Sequence, residues 1–149
     1  MTAVFEQNGI RIQYPENWTL QESEGFGDAV EVQIAAPSGA FWSLVSIQID
    51  VDADQLMLEL LESIDEQYES AEWTRKTEQL GGYQAFGFDT YFYCLDLLVS
   101  NQMRLIECDG QRLLVIYQAE NRDFDQMELV FGAITVSMLA SINESAIQS

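Results

Sequence analysis

Twenty-five carboxylates and no histidine frame the chemistry open to this 149-residue chain. Without imidazole, the work of base, metal ligand or near-neutral switch falls to Lys, Cys or paired carboxylates. Two acids stand out, because Asp89 and Asp96 interrupt an otherwise apolar, aromatic stretch. If the fold forced either inward its pKa would rise, which is the property a general acid needs. A strand bulge or an exposed edge at those positions is the better account. The one lysine, Lys76, sits beside Arg75 and supplies no Ser or Cys with an evident base. The expectation is a protein without enzymatic activity and without catalytic residues.

Metal and phosphate motifs fail on their spacing. Asp50-Val51-Asp52-Ala53-Asp54 opens like a calcium loop, but Gln55 and Leu61 stand where glycine and a bidentate glutamate are required. A strand end followed by a helix cap explains the run better. Gly81, Gly82 and Gly87 precede no Lys-Ser/Thr and lie between strands, so they read as a turn and a strand glycine. Cys94 and Cys108 are too few for a disulfide framework and read as buried thiols, with a bridge across a hairpin as the other arrangement. No metal site and no cofactor are expected.

The charge is unevenly placed. The formal net charge is −19, and between Ile12 and Thr74 there are fourteen carboxylates without a single Lys or Arg. Those residues cannot neutralise one another, so they lie in water or face cations from elsewhere. Such a balance argues against nucleic acid and anionic membrane surfaces as partners. No apolar run reaches the length of a membrane span, and Met1–Glu6 has no basic leader region, so a cytoplasmic location without membrane insertion is expected.

The elements that must position these side chains follow from periodicity. Asn8-Gly9 joins two short strands as a hairpin, and Tyr14-Pro15-Glu16-Asn17-Trp18 breaks the second. Strands are expected at Thr19–Glu22, at Val30–Ala36 and at Phe41–Ile49, with a loop at Gly25-Phe26-Gly27-Asp28. Asp52 can cap a helix that buries Leu56, Leu60, Leu61, Ile64 and Tyr68. Its other side carries Glu59, Glu62, Asp65, Glu66 and Glu69. After a weak strand at Trp73–Gln79, Tyr83–Leu98 is a long strand with aromatic residues on both alternations, which demands cover on both faces. Ser100-Asn101 and Asp109-Gly110 are the expected turns of the meander that follows. A closing helix capped by Asp123 buries Phe124, Met127, Phe131, Ile134 and Met138, with Gly132 expected to pack closely on the sheet. Residues 1–142 form one domain and 143–149 a polar tail. The fold class is α+β: a central antiparallel sheet flanked by two helices, an α/β/α sandwich.

Phe5, Asn8-Gly9-Ile10, Tyr14-Pro15-Glu16-Asn17-Trp18, Leu80-Gly81-Gly82-Tyr83 and Thr135-Val136-Ser137-Met138 together resemble the PsbP/Mog-like superfamily over residues 4–139. That group includes the extrinsic PsbP protein of photosystem II, a Ran-binding import factor and bacterial chaperones of secretion effectors. The resemblance implies the sandwich and a non-catalytic, protein-binding role. The leading expectation is thus an adaptor or chaperone-like module whose acidic residues 12–74 meet a basic protein. Glu59, Glu62, Asp65, Glu66, Glu69 and Trp42 are its candidate contacts. The alternative is a carrier with a pocket for a small apolar ligand between helix and sheet.

Mutual repulsion among the fourteen acids should weaken as ions screen it. The melting temperature is expected to rise with added neutral salt. One that stays constant from low to physiological ionic strength would contradict this.

Overall fold

The computed structural model describes residues 1–24, 30–47 and 50–148, and within these the side chains of Glu24, Val30, Glu69 and residues 144–148 are not described. The expected loop at Gly25-Phe26-Gly27-Asp28 lies outside the described residues, as do Gln48 and Ile49. Chain order is β1 (Thr2–Gln7), β2 (Ile10–Pro15), β3 (Thr19–Glu24), β4 (Val30–Ala35), β5 (Phe41–Ile47) and α1 (Ala53–Gln67). There follow β6 (Glu69–Leu80), β7 (Tyr83–Cys94), β8 (Leu97–Cys108), β9 (Gln111–Glu120) and α2 (Asn121–Gln148). The result is an α+β fold dominated by one antiparallel sheet of seven strands among the described residues, ordered β3-β4-β5-β9-β8-β7-β6. β1 and β2 make a separate hairpin.

The alternation within β9 divides the core. Leu113, Val115, Tyr117 and Ala119 join a cluster with Phe124, Phe131, Ile134, Met138 and Leu139 of α2, and with Phe5, Ile10 and Ile12 of the hairpin. The intervening Leu114 and Ile116 instead join Ala53, Met57 and Leu61 of α1, together with Phe88, Met103 and Leu105. Successive strand residues point to opposite faces, so the two clusters lie on opposite sides of the sheet. Trp42 and Thr135 tie sheet to helix: the indole N–H donates to Thr135 Oγ1 at 2.9 Å, and that hydroxyl donates to the Phe131 carbonyl at 2.8 Å. The hairpin is fastened similarly, with Arg11 N–H and Gln13 N–H donating to the hydroxyls of Ser141 and Ser137. Trp18 of the Tyr-Pro-x-x-Trp segment meets Phe131 edge-on, with ring centroids 6.0 Å apart.

Several expectations need correction. The turn between β7 and β8 falls at Leu95-Asp96, both at positive φ (50° and 68°), and not at Ser100-Asn101. Ser100 and Asn101 are instead buried within β8, and their side chains bond to Asn121 and Gln118. Leucine rarely adopts a left-handed turn conformation, so the sequence carried no turn signal there. α2 begins at Asn121, two residues before the expected Asp123 cap, and its backbone stays helical through Gln148. Asn121–Asn143 is long and apolar enough to cross a bilayer by those measures alone, yet Phe124, Phe131, Ile134, Met138, Leu139 and Ile142 are buried in the core. Cys94 pairs with Leu97 at one end of β8, and Cys108 sits at the other, roughly 35 Å along the strand. That separation excludes a bridge within the chain, and both thiols are free.

Gly132 does not pack closely: a Cβ built there would meet nothing within 4 Å. At Gly87 the same atom would fall on the backbone carbonyl of Met103, which leaves no room for any side chain. Alanine at the two positions should therefore act with opposite signs. Gly132→Ala is expected to stabilise the fold by about 1 kcal/mol through helix propensity. Gly87→Ala should destabilise it by about 1–3 kcal/mol as the β7–β8 ladder shifts. Chemical denaturation of both variants checks the pair.

Candidate functional site

The strands β6, β7 and β8 and the first turns of α2 enclose an open cleft of about 450 Å³. Its floor is set by register. Gly87 lies opposite Arg104 across the β7–β8 ladder and opposite Lys76 across β6–β7. With no side chain at Gly87, the Arg104 side chain reaches one carboxylate on the adjacent β7 and, across it, another on β6. Arg104 is 1% exposed, with Nε donating to Glu78 at 2.7 Å and Nη2 to Asp89 at 2.5 Å. Nη1 donates to the carbonyls of Phe88 and Met103. Burial works against the guanidinium's charge, but the hydrogen bonds to Asp89 and Glu78 outweigh it and raise its pKa. Charges held this way are costly to separate, at about 3–5 kcal/mol when one partner is lost.

Lys76, Tyr91, Asp125 and Glu128 complete the polar wall, so two cations face four carboxylates. Burial pushes the Tyr117 phenol up to about 12, Arg104 opposes that rise, and Glu78, Asp89 and Glu128 reinforce it. Ser100 Oγ donates to Asn121 Oδ1, an amide oxygen that takes up no proton. Among the described residues no group of three or more His, Cys, Asp or Glu side chains is placed to hold a metal ion.

The residues singled out from sequence fall in three places. Asp89 belongs to the cleft as a counter-ion of Arg104, whereas Asp96 is exposed in the β7–β8 turn, beyond any cooperation with it. Glu59, Glu62, Asp65 and Glu66 are all exposed on α1. Glu69 starts β6, and its side chain lies outside those described. Trp42 must be withdrawn as a contact residue. It is fully buried between β5 and α2 with its indole N–H satisfied, and no surface of it reaches solvent. Trp73, on β6, is the tryptophan left 44% exposed. The sequence reading missed Arg104 and Glu78, although an arginine inside Met103-Arg104-Leu105-Ile106 is itself a signal: a charge in an apolar strand must find its counter-charge within the fold.

No protein-family model matches the chain, and no curated protein does. Solved structures do. The solution structure of cyanobacterial PsbP from Synechocystis sp. PCC 6803 is similar with a TM-score of 0.63 at 12% identity, covering 91% of this chain and 90% of that one. LpqN, described as involved in cell envelope biogenesis of Mycobacterium tuberculosis, aligns with a TM-score of 0.47 at 11% identity over 91% and 81% of the two chains. The fold is PsbP-like, as the Tyr-Pro-x-x-Trp segment and the order of elements had suggested.

The ionisable groups near the β8–β9 turn give a pH prediction. Burial, then the charge of Asp109, pushes the Cys108 thiol up from 9.0 to about 11. Tyr83 donates a 2.7 Å hydrogen bond to Asp109, which raises its phenol from 10.0 to about 12. The native state thus keeps protons that the unfolded chain releases first, so the contribution of these two groups to stability is full below about pH 9 and is lost toward pH 12. Denaturation midpoints should fall steadily across that range. Midpoints that stay flat between pH 8 and 11 would contradict it.

Proposed function

We propose that this protein is a non-catalytic protein-binding module, built as an α/β/α sandwich, whose α1 face docks a basic partner. The observation that carries this reading is the outer face of α1. Glu59, Glu62, Asp65 and Glu66 recur at helical spacing, are all exposed, and take no part in the ion pairs of Arg104 and Arg122. The arrangement is unfavourable for the helix itself. Glu62 and Glu66 are like charges one turn apart, and the last turn of α1 holds no basic residue to complement its dipole. Local rules broken without compensation inside the fold are what a binding surface looks like before its partner arrives. A basic surface would relieve both penalties and would be steered in by the field of a chain at −19.

The non-catalytic part is supported by the commitment of Asp89 to Arg104 and by the isolation of Asp96 in a turn. The alternative of an apolar-ligand carrier draws no support from the cleft, whose walls are largely charged or polar. A pocket for such a ligand is predominantly hydrophobic.

The test is a pull-down and titration with a lysine-rich peptide as probe. Glu59→Gln, Glu62→Gln, Asp65→Asn and Glu66→Gln combined should weaken binding by about fourfold or more, since exposed pairs contribute roughly 0.2–1 kcal/mol each. Binding to the unaltered protein should fall sharply as salt rises. Yields that ignore both the substitutions and the salt would sink the proposal.

A further inference from the structure

β6 is the last strand in the sheet order, so its outer edge has no neighbour among the described strands. It is twelve residues long. Such an edge is a template for another strand unless it is blunted. Its composition is unusual for this chain. Arg75 and Lys76 end the long cation-free stretch, and residues 71–77 carry Glu72, Arg75 and Lys76, a locally positive segment in a strongly acidic protein. Glu72, Trp73, Thr74, Arg75, Lys76 and Thr77 are all exposed. The opposite edge, β3, carries Glu22 and Glu24 without any cation and would repel a copy of itself.

We infer that the β6 edge pairs antiparallel with the β6 edge of a second copy of this chain, with Thr74 on the two-fold axis. An axis perpendicular to the sheet keeps each face continuous, so odd residues meet odd and even meet even. With Thr74 at the centre, Glu72 faces Lys76 of the second copy on one side of the sheet, and Trp73 faces Arg75 on the other. Each pair occurs twice by symmetry, and Ala71 faces Thr77. Arg75 already lies 5.6 Å from the centroid of the Phe88 ring, so the second copy's Trp73 adds another aromatic neighbour to the same cation. The neighbouring registers are worse. Centring on Arg75 sets it against itself and Glu72 against Glu78, centring on Lys76 sets two ammonium groups together, and centring on Trp73 leaves Glu72 and Lys76 without counter-charges. The irregularity between Glu69 and Glu72, with Ser70 at φ 57°, ends the flat run and confines pairing to residues 71–77. This inference is independent of the docking proposed for α1.

Sedimentation velocity over a range of protein concentrations tests it. The unaltered chain should pass from one to two protomer masses as concentration rises. Glu72→Lys and Lys76→Glu should each weaken the dimer by about tenfold, the size expected when two symmetry-related cross-strand ion pairs turn repulsive. Combining Glu72→Lys with Lys76→Glu should restore the dimer to within a few-fold. Both positions are exposed, and circular dichroism confirms that each variant is folded. A chain that stays monomeric at every concentration overturns the inference. So does a dimer indifferent to the single reversals, or one that the double variant fails to restore.

Discussion

β9 is apolar on both of its faces, and most of the structure answers that constraint. Leu113, Val115, Tyr117 and Ala119 need cover on one side, and Leu114 and Ile116 need it on the other. A strand of this kind cannot leave either face to water, because each exposed aliphatic side chain forfeits about 1.5–3 kcal/mol of burial. Two helices of different character meet the two demands. α1 is short and contributes Ala53, Met57 and Leu61, flanked by the half-buried Leu56, Leu60 and Ile64, which leaves its opposite side to acids. α2 is long and, with the β1–β2 hairpin, takes up the larger cluster around Phe131. The acidic face of α1 is therefore the residue of a packing solution: a narrow apolar stripe suffices, and the remaining positions are unconstrained by the core.

The cleft arises from the same geometry at its margin. α2 belongs to the cluster centred on β9 and β2, while β6 and β7 extend the sheet further on that face. Positions there are neither fully roofed nor fully wet. Arg104 lies buried beneath that margin, where its guanidinium is neutralised by Glu78 and Asp89. Gly87 is the backbone condition for the arrangement, because a side chain there would collide with the Met103 carbonyl before Arg104 was even considered. One glycine and one arginine opposite each other thus connect strand register to the electrostatics of the cleft.

How much of this was legible beforehand depends on the range of each interaction. The α1 cap could be read directly, since Asp52 and Gln55 are three residues apart and the carboxylate accepts the Gln55 N–H at 3.2 Å. Asn8-Gly9, Gly81-Gly82 and Asp109-Gly110 declare their turns because both residues of each tolerate positive φ. Leu95-Asp96 adopts the same conformation with no such signature. That turn is imposed by the pairing of Phe88 with Met103 and of Phe92 with Val99 across the hairpin, which fixes where the chain must reverse. The Glu78–Arg104–Asp89 network joins three strands and depends on registers that no periodicity encodes. Trp42 was misplaced for a related reason: a tryptophan near a strand end looks available until Thr135, 93 residues away, is seen to accept its N–H.

The distribution of cations gives the charge pattern its meaning. Arg104 is neutralised within the cleft, Arg122 is held by Glu120 at 2.6 Å, and Arg112 donates to the carbonyl of Val51 at 2.7 Å. The first two lie away from the exposed carboxylates of α1, and the third sits one residue before the Asp52 cap. Arg75, on β6, is directed to the Phe88 ring of β7. Few cations are then left for fourteen acids between Ile12 and Thr74, and the long-range repulsion among those acids is relieved by mobile ions or by another molecule. The two partner surfaces inferred above differ in kind for this reason. In the reading proposed above, the α1 face carries one sign of charge and calls for a basic protein, whereas the β6 edge carries both signs and can be completed by its own copy.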